Sequence, residues 1–449
     1  MTVFYTATFG CKINQYETRS LTEAWERDGM QETKDVSKAS VILVNSCAVT
    51  ANAVSDLRQG VRKLHKQNST AKIFITGCAA QVLSGELEEL PGVERVIPQE
   101  RKADLLGFGA GAELERSNLE ELKISDGDDS EEFLDTDKIF PPLEIDSYHR
   151  SRAVVKVQDG CSHKCSYCIV PLTRGKSISR PLESIYAEVE RLLEGGFCEM
   201  ILSGINLRHF GRDLPRLENG KKPDFWALIE GLEERFSAKW KGKARFRISS
   251  VEPGQLTDRA LEVLANTTLI APQLHLSLQS GDKGVLKSMN RGHYDPEQCA
   301  EFLEKLKEVW PVYGLGADII TGFPGESDDQ FETTYELCKR LPLTYAHVFP
   351  YSERPGTAAV ELKGSVHPPV RKERAKRLRD LIGEKKNAFH QRIIDEEIIL
   401  DVLVQDAAGK GVGQFYTATI FENVPEKVRE IVQAKAVEYV NGHLVVRAL

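Results

Sequence analysis

No apolar run in the 449 residues reaches the roughly 18 needed to cross a bilayer, so no membrane-spanning helix and no membrane partner are expected. The opening Met1-Thr2-Val3-Phe4-Tyr5 lacks a basic region and a cleavage site. A cytoplasmic protein is expected. Nor is there an even, closely spaced cysteine set. The nine cysteines are an odd number in a long chain with no export signal. That argues against a disulfide framework and for metal-binding or catalytic thiols. The chain also lacks positive charge overall, with a net −8 that argues weakly against a polyanionic partner. The charge is uneven, however. Residues 113–137 hold eleven Asp/Glu against two Lys/Arg, and residues 371–392 hold nine Lys/Arg against three Asp/Glu. The basic run fits a solvated helix face or a polyanion-binding face equally well.

What is present centres on Asp159-Gly160-Cys161-Ser162-His163-Lys164-Cys165-Ser166-Tyr167-Cys168. The run Ala153-Val154-Val155-Lys156-Val157 before it alternates as a strand, so the thiols sit on a loop at a strand's carboxyl end. Three thiolates can hold three irons of a four-iron cubane and leave the fourth open to a small molecule. Zinc is the main competitor, but the loop lacks the second cysteine pair of a structural zinc knuckle.

The remaining cysteines fall into two groups. Strands are expected at 3–9, 41–45 and 72–76, with helices at about 18–27 and 51–65, a pattern that implies a parallel sheet with helices packed on it. Cys11, Cys47 and Cys78 each follow one of those strands. Parallel strands share one carboxyl rim, so the three thiols should converge there as a second open three-thiol site. Cys198, Cys299 and Cys338 lie in a loop and two helical stretches, where core packing is the plainer reading. His163 and His209 are read as solvated or structural.

From about 150 the strand and helix alternation resumes. Six β/α units suggest a partial barrel, with small and polar residues at each strand's carboxyl end. After the basic run the period changes to two, over 398–404, 411–417, 430–439 and 443–447. A small antiparallel β-barrel of OB-like kind is expected there. The fold class is therefore α/β: an amino-terminal parallel α/β sheet domain, a central partial (β/α)6 barrel and a carboxyl-terminal small β-barrel.

The three-cysteine loop, with Tyr167 before its last cysteine, resembles that of the radical S-adenosylmethionine (SAM) superfamily. The segments Thr8-Phe9-Gly10-Cys11-Lys12-Ile13-Asn14-Gln15-Tyr16-Glu17, Asn45-Ser46-Cys47 and Thr76-Gly77-Cys78 are similar to the amino-terminal domain of the methylthiotransferases. Arg247-Ile248-Ser249-Ser250-Val251-Glu252-Pro253, His275-Leu276-Ser277-Leu278-Gln279-Ser280-Gly281 and Asp318-Ile319-Ile320-Thr321-Gly322-Phe323-Pro324-Gly325-Glu326 resemble that family's barrel motifs, as does Phe349-Pro350-Tyr351-Ser352-Glu353-Arg354-Pro355-Gly356-Thr357. The last strands are similar to its RNA-binding TRAM domain. Lys12 after Cys11 looks most like the branch that modifies threonylcarbamoyladenosine in tRNA. The isopentenyladenosine branch usually has Gln there, and the ribosomal-protein branch Pro. Residues 174–181 depart from the family in being less charged, and Ala79 stands where Tyr is common.

The resemblance implies four segments: an amino-terminal domain at 1–112, an acidic linker at 113–147, a radical SAM core at 148–380 and a TRAM domain at 382–449. It implies two [4Fe-4S] clusters, on Cys161, Cys165 and Cys168 and on Cys11, Cys47 and Cys78, with no catalytic residue beyond these ligands. One cluster would cleave SAM to a 5′-deoxyadenosyl radical, and the other would carry the sulfur. Gly204, Asn206, Ser250, Glu252, Gln279 and Arg291 near strand ends become candidate SAM contacts, or else serve locally. The implied partners are the tRNA anticodon stem-loop, a reductant such as flavodoxin or ferredoxin, and a sulfur donor. The carboxyl-terminal barrel and the basic helix would grip phosphates. The alternatives are methylthiolation of isopentenyladenosine, methylthiolation of a ribosomal-protein aspartate, or a non-enzymatic iron–sulfur RNA-binding regulator.

Overall fold

A computed structural model describes residues 1–109 and 140–449. Most of the acidic stretch expected as a linker, 113–139, therefore lies outside the described residues. The chain forms two compact units. The first comprises Met1–Asp146, Gln158–Lys164 and Cys168–Arg180, and the second Ser147–Val157, Cys165–Tyr167 and Pro181–Leu449.

The first unit is built on a parallel sheet. Its elements are β1 (Val3–Thr8), α1 (Lys12–Arg27), β2 (Gln31–Glu32), β3 (Val41–Ser46), α2 (Ala51–Gln67), β4 (Lys72–Gly77), α3 (Cys78–Val82), α4 (Ser84–Glu88) and β5 (Val93–Val96). The strand order is β2-β1-β3-β4-β5, every pair parallel. A central strand covered on both faces is largely apolar, and in β3 the run Val41–Val44 and the two polar residues that end it, Asn45 and Ser46, are all buried. Ile42, Val44, Ile73 and Ile75 pack with Leu57 and Val61 of α2. On the other side the ring of Trp25 meets Phe4 and Phe108, and its indole N–H donates to the Leu105 carbonyl at 2.6 Å.

Two boundaries differ from the sequence expectation. Helix α1 starts at Lys12 with Cys11 as its N-cap residue, not at Thr18. Asn14 and Glu17 interrupt the apolar periodicity, yet both are buried because each has polar partners. Residues 143–146, read as part of the exposed connection, are held against α1. Leu143 and Ile145 are buried, and the Leu143 carbonyl accepts from the Tyr16 hydroxyl at 2.7 Å.

The second unit begins with β6 (Ala153–Lys156). The chain then returns to the first unit for the hairpin β7 (Gln158–Asp159) and β8 (Ile178–Ser179), with α5 (Val170–Arg174) between them. The second unit continues with α6 (Leu182–Glu194), β9 (Glu199–Ser203), α7 (Phe225–Trp240), β10 (Arg245–Ile248), β11 (Ser250–Val251), α8 (Asp258–Asn266), β12 (Gln273–Gln279), α9 (Lys283–Ser288), α10 (Pro296–Val309), β13 (Gly314–Thr321), α11 (Asp328–Arg340) and β14 (Tyr345–Pro350). Parallel runs β6-β9-β10 and β11-β12-β13-β14, with β10 and β11 in line along the chain, give the six strand positions expected of the partial barrel. Cys299 and Cys338 are buried inside α10 and α11, and Cys198 lies in the turn before β9.

Helix α12 (Pro368–Asp395) leads to a closed barrel of β15 (Ile399–Val404), β16 (Lys410–Gly413), β17 (Ala418–Phe421), β18 (Ile431–Val440) and β19 (His443–Ala448). Its order is β15-β16-β17-β19-β18, and β17 pairs with β19 in parallel. The wholly antiparallel barrel expected from sequence is thereby corrected. A closed ring with an odd number of strands cannot alternate direction all the way round. The strand expected over 411–417 also ends early. The chain turns at Gly413–Thr417, with Tyr416 at φ 65°, before β17 begins.

The arginines at the start of the basic run are paired inside the second unit. Arg374 pairs with Glu326 and Asp328 at 2.6 Å each, Arg377 pairs with Glu332, and Arg371 donates to the Tyr351 carbonyl. These contacts fix α12 on α11 and β14.

A buried Arg-Glu-Arg set joins the two barrels of this unit. Glu199 on β9 accepts from Arg245 at 2.5 Å and from Arg247 at 2.7 Å. Both guanidiniums also donate to carbonyls of the small barrel: Arg245 to Asp401 and Val412, Arg247 to Gly413 and Gln414. Burial pushes the Glu199 carboxyl up, but the two arginines outweigh it and bring it to about 2 from 4.5. A depressed carboxyl contributes stability above its unfolded value and loses it as pH falls. Glu199→Gln should therefore cost roughly 3–5 kcal/mol at pH 7, because it strands two buried cations. In denaturant titrations the gap between wild type and this variant should close between about pH 4.5 and 2. A gap independent of pH would refute this assignment.

Candidate functional site

In the first unit the three strand-end cysteines come from β1, β3 and β4, which are consecutive in the sheet. The register pairs Thr8 with Asn45, Asn45 with Thr76 and Ser46 with Gly77, so the strands end level. Neighbouring strands lie ~4.8 Å apart, so the three adjacent ends lie within about 10 Å of one another. Cys47 and Cys78 follow directly and are buried, while Cys11 caps α1 and is exposed. Gly10, at φ 108°, permits the close approach: a Cβ there would lie 2.5 Å from the Cys47 Cβ. Burial, together with the nearby Cys78 and Cys11, pushes the Cys47 thiol up to about 11, although the Val49 N–H opposes this. The level strand ends thus put all three residues at one rim of the sheet.

A polar lattice fixes the rim. Asn14 donates to the carbonyls of Phe9 and Ser46 at 2.9 and 2.8 Å, tying α1 to the ends of β1 and β3. Asn45 donates back to the Asn14 carbonyl, and the Ser46 hydroxyl donates to the Thr76 carbonyl. At the centre is Arg174, from the end of α5. It donates to Glu17 at 2.8 Å, Asp159 at 2.9 Å and the Asn14 side-chain oxygen at 2.7 Å. Burial disfavours its charge, but Cys78, Glu17 and Asp159 raise its pKa well above the ordinary value, so it stays a cation. Lys102 also reaches Glu17 and Asn45, and burial lowers its pKa. Arg174, Glu17, Asn14, Asp159 and Lys102 were not picked out from sequence. Two polar residues three apart on the buried face of α1 were the signal that could have found Asn14 and Glu17.

The three-cysteine loop divides between the units. Cys161 and Cys168 belong to the first unit and Cys165 to the second. In the first unit the Cys161 N–H donates to the Gly175 carbonyl at 3.0 Å, and Gly160 at φ 64° leaves room for the Lys176 carbonyl, which a Cβ would meet at 2.0 Å. In the second unit Cys165–Tyr167 is pinned to the segment after β12. The Ser166 N–H donates to the Met289 carbonyl and its hydroxyl to the Ser288 carbonyl.

Arg291 lies beside that segment, 3.5 Å from the Cys165 Sγ, and donates to Glu252 and the Ser277 carbonyl at 2.7 Å each. Burial works against the Arg291 cation, yet Tyr167 and Glu252 raise its pKa well above normal. The Glu252 carboxyl, pushed up by burial, is brought to about 2 by His293 and Arg291. Two of the six candidate SAM contacts are thus brought together as an ion pair. Gln279 ends β12 at φ 61°, and Ser250 sits in β11. Gly204 and Asn206 follow β9, where Asn206 caps a short turn by accepting from the Arg208 N–H.

A partial β/α barrel whose first strand leads into this three-cysteine loop defines a radical SAM protein. Residues 155–338 match the Radical SAM superfamily, and residues 3–98 match a family described only as uncharacterized protein family UPF0004. The chain is 31% identical over 437 residues to the threonylcarbamoyladenosine tRNA methylthiotransferase MtaB of Bacillus subtilis, covering 95% of this chain and 92% of that protein. It is 36% identical to the MtaB of Rickettsia prowazekii, covering 88% and 86%. It is 31% identical to the tRNA-2-methylthio-N(6)-dimethylallyladenosine synthase of Clostridium botulinum, covering 97% and 94%. The chain belongs to the methylthiotransferase family of radical SAM enzymes. Among solved structures, the radical SAM methyltransferase TsrM of Kitasatospora setae shares the fold at TM-score 0.55 and 14% identity, over 80% of this chain and 74% of that one.

The Arg174 lattice makes a direct prediction. Arg174→Met should destabilise the chain by roughly 3–5 kcal/mol in denaturant, because Glu17 and Asp159 each lose a buried cationic partner. Arg174→Lys should fall between the two, since it keeps the charge and loses the fork. Equal stability of all three proteins would show that the lattice carries no weight.

Proposed function

We propose that the protein methylthiolates carbon 2 of N6-threonylcarbamoyladenosine beside the anticodon of tRNA. The observation that carries this reading is the rim of Cys11, Cys47 and Cys78 in a chain that aligns end to end with threonylcarbamoyladenosine tRNA methylthiotransferases. Carbon 2 of adenine has no acidic hydrogen, so acid–base chemistry cannot replace it, and a cofactor must provide the reactivity.

The donor sets fit two [4Fe-4S] clusters, each held by three thiolates with one iron left open. Cys161, Cys165 and Cys168 would hold one, and Cys11, Cys47 and Cys78 the other. Their chemistry is to supply, with SAM, a radical that takes the hydrogen from carbon 2 and a sulfur that replaces it. Arg174, held by Glu17, Asp159 and Asn14, places a buried cation at the same rim. Arg291 lies 3.5 Å from the Cys165 Sγ, and its pairing with Glu252 holds the guanidinium in place. Gly204, Asn206, Ser250, Glu252, Gln279 and Arg291, at or near strand ends of the second unit, would frame SAM.

The division into an amino-terminal domain at 1–112, an acidic linker at 113–147, a radical SAM core at 148–380 and a TRAM domain at 382–449 belongs to the same reading. The strand order of the small barrel, with its parallel closing pair, supports an OB-like, RNA-binding role there. The target base lies in a single-stranded loop, so no duplex has to open. Among the described residues no helix is long and apolar enough to cross a membrane. A reductant and a sulfur donor are required by the chemistry.

Mass spectrometry of tRNA nucleosides from a strain lacking the gene tests the assignment. The methylthio form of threonylcarbamoyladenosine should disappear and the unmethylthiolated form accumulate. Loss of the isopentenyl analogue instead would move the protein to the sister branch. If no tRNA nucleoside changes, the tRNA reading is wrong. Binding of tRNA should also weaken steeply with salt, as log K falls linearly with log salt for phosphate contacts. A salt-independent affinity measured by filter binding would contradict that.

A further inference from the structure

Strand alternation on the second unit brings three metal-binding side chains to one face. His275 is on β12, Asp318 on β13 and His347 on β14, three consecutive strands. Asp318 is the register partner of His347. His275 is the partner of Gly316, two residues before Asp318 and therefore on the same face. The His275 Nε2 and the His347 Nδ1 each lie 3.1 Å from the Asp318 Oδ1. One ligand atom from each of the three residues lies within 4.8 Å of the others.

Such a set can be a closed hydrogen-bonded triad or a metal site. Ligand atoms on a tetrahedral ion, at bonds of ~2.1 Å, sit about 3.4 Å apart, a little beyond the two 3.1 Å separations found here. Two further observations favour the ion. First, His275 is held by its other ring nitrogen. The Tyr345 hydroxyl lies 3.1 Å from the His275 Nδ1 and accepts from the Gln273 amide at 2.9 Å. Metal-bound histidines are oriented in this way, with the second nitrogen tied to an outer partner.

That outer contact is built into the fold. Tyr345 pairs in register with Gly316, and its ring crosses where a side chain at 316 would be. A Cβ at Gly316 would lie 2.2 Å from the Tyr345 ring and 2.5 Å from the His275 Nδ1. The Tyr416 ring, from the turn of the small barrel, lies against Tyr345 at 5.3 Å between centroids. Second, the set is open on one side. His275 is buried, whereas the His347 side chain is 59% exposed.

We propose that His275, Asp318 and His347 form a binding site for a first-row divalent cation of the Zn(II) class, separate from the six cluster cysteines. Three protein ligands leave a coordination position for water or for an oxygen donor of a bound molecule. In sequence the histidines and aspartate are scattered over 73 positions, from 275 to 347, and only the register of three parallel strands assembles them.

The test uses the full chain with its clusters reconstituted, so that the cysteines are occupied, then equilibrated with Zn(II) and desalted. About one zinc per chain should be retained, with a nitrogen/oxygen first shell at ~2.0–2.1 Å and no sulfur by X-ray absorption. His347→Ala removes a largely exposed ring and should leave folding intact while weakening zinc affinity at least about 10-fold. Asp318→Asn should do the same, with circular dichroism as the check on its fold. Zinc retained equally by wild type and His347→Ala, no zinc retained by wild type, or sulfur in the first shell would each overturn the proposal.

Discussion

The first unit depends on one buried guanidinium. Arg174 binds Glu17 and Asn14 on helix α1 and Asp159 on the hairpin that leads into the three-cysteine loop. A cation that deep is tolerable only when its donors are paired and anions surround it. Here the anions are the carboxylates of Glu17 and Asp159. The same contact that fixes α1 against the strand ends also places positive charge where thiolates are wanted. Asn14, Asn45 and Ser46 then lock the rim by hydrogen bonds to the backbone. Structure and chemistry at this rim are one arrangement.

The second unit solves a different problem with a similar device. Six parallel strand positions do not close a barrel, and the exposed end needs cover. Glu199, Arg245 and Arg247 supply it by holding the small barrel's backbone carbonyls, and Tyr416 lies against Tyr345 with Arg247 and Arg152 over its ring. The parallel register of that sheet brings His275, Asp318 and His347 together.

Much of this was legible in the chain. Alternating strand and helix gave the parallel sheets, and the rule that parallel strands share a carboxyl rim was enough to bring Cys11, Cys47 and Cys78 together. What was missed has physical reasons. The start of α1 was hidden because Asn14 and Glu17 look like surface residues until their partners are known. The break between β16 and β17 was hidden because Tyr416 takes a left-handed conformation inside an apolar run. Charge counting over 371–392 could not tell that Arg371, Arg374 and Arg377 turn toward acids and carbonyls of their own unit. The motif containing His275 was noticed, but its companions lie on other strands, and periodicity carries no information about which strands are neighbours.

The central claim is that the rim of Cys11, Cys47 and Cys78 holds a second cluster with a task distinct from that of Cys161, Cys165 and Cys168. The most direct test compares the reconstituted wild type with a variant in which Cys11, Cys47 and Cys78 are all alanine. Iron should fall from about eight per chain to about four. SAM should still be cleaved to 5′-deoxyadenosine, while no methylthio group reaches the nucleoside. A variant that keeps about eight irons, or that still makes the methylthiolated product, would contradict the account.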